Sequence, residues 1–147
     1  MPPIPKRPLS VWIAQIILGL YALGTTLLLL WGFYKGLTEG IGNLDLYLVT
    51  NVGILAFVAI YSGGFVGMAI RKPWGRWLGV AGIAILLIAT AVTQTTQWRA
   101  GINEDSGPLS VTLIFRVALI LGLAFLVYKL AAGDAAEEFF NPSPTER

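Results

Sequence analysis

Residues 11–34 read VWIAQIILGLYALGTTLLLLWGFY. A helix rises 1.5 Å per residue, so about twenty mostly apolar residues cross a hydrocarbon core of about 30 Å. This stretch has the length, carries no charge, and sets Trp12 at one end with Trp31, Phe33 and Tyr34 at the other. Aromatic rings at both ends are the mark of a span settled in two interfaces. Three more stretches read the same way. Residues 47–70 hold no charged side chain, 77–98 run from Trp77 to Trp98, and 109–130 hold Arg116 within them and Lys129 at their close. The expected fold is an all-α membrane protein, a four-transmembrane-helix bundle over residues 1–133 with an acidic tail over 134–147.

Composition agrees with that class. Of 147 residues, 56% are hydrophobic and 12% charged, against about 25% charged in an average soluble protein. Mean hydropathy is +0.73. The ten Lys and Arg gather at the ends of the apolar runs instead of forming one basic face, so nucleic acid is not an expected partner; the lipid bilayer is. The chain has neither cysteine nor histidine, which removes disulfides, thiolate metal sites and the commonest general base and zinc ligand. No cofactor is expected. Lys6 and Arg7 ahead of an apolar run resemble the start of a secretory signal, but the run is long and lacks a small-residue cleavage site, so it reads as a retained span.

Basic residues in short loops set orientation. Lys6, Arg7, Arg71, Lys72, Arg76, Lys129 and Arg147 fall on one side; the other holds only Lys35 and Arg99, with Arg116 added if it reaches that surface. Both termini are therefore expected in the cytoplasm, with the loops after Tyr34 and after Trp98 outside. In the tail, Asp134, Glu137 and Glu138 surround alanines ahead of Phe139 and Phe140. Two readings stand there: a short surface helix with its Phe rings dipped in the membrane, or a frayed terminus.

Arg7-Pro8-Leu9-Ser10-Val11-Trp12 before span one is matched by Lys72-Pro73-Trp74-Gly75-Arg76-Trp77 before span three. Both run basic, Pro, any, small, any, Trp, and the same spacing carries Tyr47 close to the start of span four. Two tandem helical hairpins related by a parallel repeat fit this pattern, as does independent selection of interfacial anchors. Small residues let membrane helices approach closely. Gly63 with Gly67, Gly75 with Gly79, and Ala118 with Gly122 are the candidate seams, and Gly19, Ala22 and Gly24 are span one's contribution. Packing within the chain accounts for them, while a homo-oligomer or a membrane-protein partner stays open.

An ionisable group inside a span is a site candidate because its burial is costly. Arg116 lies about 10 Å of helix from the outer end of span four, within snorkelling reach of the interface. Turned inward, it could pair with Asp45, Glu104 or Asp105. Thr93, Gln94, Thr95, Thr96 and Gln97 make the outer end of span three polar on the same side, which is either the lining of a small outward-facing vestibule or the interfacial end of a shorter span. Gln15 reads as an interhelical hydrogen-bond donor or an interface residue. The carboxylates all fall in expected loops or the tail, no pair shares a face within a span, and neither a phosphate-cradling loop nor a nucleophile elbow is present. Enzymatic activity is not expected.

The segments Arg7 to Val11, Lys72 to Trp74, Tyr128 to Leu130 and Glu137 to Phe140 resemble a loosely defined set of small four-span prokaryotic membrane proteins of unknown function. These open on Arg-Pro, carry a Lys-Pro-Trp turn and end in an acidic segment with Phe. The resemblance implies a prokaryotic cytoplasmic membrane and no activity. The function expected is that of an accessory or scaffold subunit acting through protein or lipid contacts; the alternative is a small oligomeric transporter or channel with a polar outer mouth.

Overall fold

The computed structural model describes residues 7–40, 42, 44–99 and 111–141. Among these, five helices follow in order: α1 (Leu9–Thr38), α2 (Leu44–Ala69), α3 (Pro73–Arg99), α4 (Val111–Ala132) and the short α5 (Asp134–Phe140). The first four are long and apolar enough to cross a membrane. Only 17–22% of each apolar window is buried within the chain, so most of this surface needs an apolar solvent. Leu20, Leu55, Ile88 and Leu121, all more than half exposed, lie on those outer faces.

The entry motifs act as helix starts. Pro8 precedes the first turn of α1, and its carbonyl accepts from Val11 and Trp12 N–H at 3.1 and 3.2 Å. Pro73 opens α3, where its missing N–H has no partner to lose. Between them, α2 ends in a Schellman turn in which Lys72 N–H donates to the Gly67 carbonyl at 2.9 Å. Arg71 takes the left-handed position usually given to glycine, with φ 56°.

Several elements run past their expected limits. α1 continues beyond Tyr34 to Thr38, which places Lys35 inside the helix and paired with Glu39 at 3.4 Å. Both groups are solvent-exposed, so that pair contributes little. α2 starts at Leu44, and Asp45, expected in a loop, stands in its first turn, where a carboxylate suits the helix dipole.

α2 packs along α1 on one side and α3 on the other, α3 packs on α4, and α1 meets α3 and α4 over shorter stretches. At the centre, fully buried Leu18 of α1 sits in a notch left by glycines. A methyl group on Gly64 would lie 3.2 Å from Leu18 and from the Gly79 nitrogen, and one on Gly82 would lie 2.8 Å from Leu18. Tyr61, Met68 and Ile83 complete this core.

The tail forms the short helix expected over Asp134 to Phe140, but its two Phe rings are buried against the bundle instead of exposed for the membrane surface. α5 turns back at Gly133, and Phe139 and Phe140 are each 3% exposed, packed edge to face at 5.0 Å. The rings close the end of the bundle where α1 and α3 begin, and Asp134, Glu137 and Glu138 face outward.

Candidate functional site

Polar groups collect at the two ends of the bundle. At the end carrying α5, Arg7 Nη1 donates to Gln15 Oε1 at 2.5 Å, and its guanidinium lies 5.1 Å from the Trp12 ring centroid and 5.7 Å from that of Phe139. Arg71, at its left-handed backbone position, sets its guanidinium 4.7 Å from the centroid of the same Phe139 ring. Two cations thus hold one aromatic ring in place, an arrangement worth about 0.5–2 kcal/mol each as burial increases. Gln15, expected as a donor to another helix, instead accepts from the arginine that precedes its own helix.

Arg76 is 5% exposed. Its Nε donates to the Leu130 carbonyl at 2.7 Å and its Nη2 to the Ala131 carbonyl at 2.8 Å. The last four carbonyls of a helix have no intrahelical donor, and a guanidinium fork satisfies two of them at once. Sequence reading took Arg76 only as a topology charge; nothing in a Trp-Gly-Arg-Trp turn reveals that its donors reach a helix more than fifty residues on.

At the opposite end, Arg116 Nη1 donates to Gln94 Oε1 at 2.9 Å, joining α4 to α3. This brings together two of the residues named for the polar outer site. Gln97 lies in α3, but its side chain is outside the described residues, as are Glu104 and Asp105 altogether. Asp45 stands on α2, which packs on α1 and α3. Thr93 and Thr96 return their hydroxyls to carbonyls one turn back, the ordinary way a helix in an apolar setting satisfies a threonine.

A second polar feature at that end escaped the sequence reading. Gly32 and Gly36 of α1 let Asn51 and Tyr47 of α2 approach: a methyl group on Gly32 would lie 2.8 Å from Asn51 Oδ1, and one on Gly36 2.7 Å from the Tyr47 hydroxyl. Asn51 Nδ2 donates to the Tyr47 carbonyl at 2.8 Å. The four-residue spacing of Gly32 and Gly36 was the available signal.

The expected glycine seams divide. Gly67 and Gly75 meet backbone to backbone, and Gly79 faces Met68 and Leu18, so two of the pairs build the α2–α3 crossing. Ala118 and Gly122 do not serve a seam: a methyl group on Gly122 would meet nothing within 4 Å. They line an open groove of about 670 Å³ between α1 and α4. Among the described residues, no cluster of three or more metal-ligating side chains occurs.

Compared with protein-family models, curated proteins and solved structures, the chain matches none.

Proposed function

We propose that the chain is a non-enzymatic integral protein of a prokaryotic cytoplasmic membrane, an accessory or scaffold subunit that acts through protein or lipid contacts. The observation carrying this reading is where the buried and half-buried polar side chains are directed. Arg76 serves the α4 carbonyls, Arg7 serves Gln15 and the end of α2, and Asn51 Nδ2 serves the Tyr47 carbonyl of its own helix. Each of these bonds is spent on the chain's own helices and their ends, which leaves the lateral faces and the α5 end as the surfaces for action. Co-purification in mild detergent tests the reading: a stoichiometric partner or a retained lipid supports it, and a purified chain that alone sustains a solute flux in proteoliposomes overturns it.

The basic census favours both termini inside, since a cluster of Arg7, Arg71 and Arg76 occupies the end that carries α5. A reporter fused after Gly42 is expected to be active outside the cytoplasm; cytoplasmic activity at that position reverses the orientation.

One observation favours the second reading, a small oligomeric transporter or channel: the Arg116–Gln94 bond places a cation and an amide at the same end of α3 and α4. Under the scaffold reading, Arg116→Leu loses the interhelical bond to Gln94, costing about 1–2 kcal/mol in unfolding by detergent titration, and alters no flux. Loss of a reconstituted flux with stability unchanged would identify a transporter.

A further inference from the structure

The groove between α1 and α4 starts at Leu9, Ser10 and Lys129 near α5 and ends at Ile17 of α1 and Ala118 of α4. From Lys129 to Ala118 the α4 axis rises about 16 Å. Half of a hydrocarbon core is about 15 Å. The groove therefore spans one leaflet, whereas a partner helix packed there would need a seam across both. Its walls are Ile13, Leu123 and Leu126 with Gly122 as the open floor, and its polar groups sit together at the interfacial mouth: the Ser10 hydroxyl and the Lys129 ammonium. Lys129 lies over the Phe125 ring at 5.6 Å, and among the described residues it is within ion-pair distance of no carboxylate. Asp134 and Glu137, the nearest carboxylates in sequence, face solvent from α5.

We propose that this groove holds one anionic glycerophospholipid, with an acyl chain along Ile13, Gly122 and Leu126 and the phosphate at Lys129 and Ser10. The one-leaflet length selects a lipid over a helix, and the cation at the mouth selects an anionic headgroup. The inference deepens the contact-based reading above and rests on it for the membrane setting; flux measurements test that reading separately.

Native mass spectrometry of the full chain tests it, in detergent supplemented with equal phosphatidylglycerol and phosphatidylcholine. One phosphatidylglycerol is expected to be retained per chain, preferred about fivefold over phosphatidylcholine. Lys129→Gln should abolish the preference and keep tail binding. Gly122→Phe, which fills the groove, should abolish retention of both lipids, while Gly24→Phe, at another open position, should not. Equal retention of the two lipids by the unaltered chain overturns the headgroup assignment, and undiminished retention in Gly122→Phe overturns the groove. The chain has no cysteine, so Gly122→Cys reports a second copy cleanly. Efficient disulfide-linked dimers through that position would assign the groove to a protein interface and sink the lipid.

Discussion

Gly75→Ala is expected to destabilise the bundle by about 1–3 kcal/mol, even though alanine is the better helix former. A methyl group at Gly75 overlaps the backbone of Gly67, its Cα, carbonyl carbon and oxygen, and a backbone cannot turn aside as a side chain can. The α2 and α3 axes must separate, which also loosens Gly64 against Gly79 and the notch that receives Leu18. Opposing this is the propensity gain, about 1 kcal/mol for Gly to Ala within a helix. At Gly122 and Gly24 the same substitution meets nothing within 4 Å, so the gain stands alone and the expected change is neutral to slightly stabilising. The contrast in sign between chemically identical changes is the test. Unfolding in mixed micelles, followed by tryptophan fluorescence, measures all three variants; equal stabilities for Gly75→Ala and Gly122→Ala would show that α2 and α3 do not cross at these glycines.

The same comparison marks how far the sequence can be read. Four apolar runs ended by Trp and basic residues are physically unambiguous, because length and interfacial chemistry act one-dimensionally along the chain. The rotation of each helix is another matter. Residues 11–34 and 47–70 are apolar around their whole circumference, so no polar face points away from lipid and no stripe says which glycine faces inward. Hence Gly67 and Gly75 were found as a seam, while Gly64, one residue from the expected Gly63, proved to face Gly79, and Ala118 with Gly122 matched the pattern yet border an open groove. Gln94 and Arg116 were placed at one end by counting residues, and the bond between them follows from α3 lying beside α4. Phe139 and Phe140 carry no such directional information: two rings after an acidic stretch suit a membrane surface as well as a bundle end, and only the positions of Arg7 and Arg71 decide.

Arg76→Met is expected to cost about 2–4 kcal/mol, because it leaves the Leu130 and Ala131 carbonyls without donors where water is scarce. Each orphaned buried acceptor forfeits about 1–3 kcal/mol. Against this, removing a buried guanidinium recovers part of its desolvation cost, and methionine fills much of the same volume. The carbonyls decide the balance, since the backbone of α4 has no alternative partner for two acceptors at its end. Arg76→Lys should fall between the two, because an ammonium is a compact donor without the fork that spans successive carbonyls at 2.7 and 2.8 Å. Lys72→Met is the control for charge: it removes the same one positive charge from the same turn, but Lys72 is exposed, so its change should stay within about 0.5 kcal/mol. A further readout follows α5, which begins just after these carbonyls and is held by the burial of Phe139 and Phe140. If Arg76 clamps the end of α4, limited proteolysis at the C-terminal segment should accelerate in Arg76→Met and not in Lys72→Met. Matching stabilities and matching proteolysis in these two variants would reduce Arg76 to a topology charge.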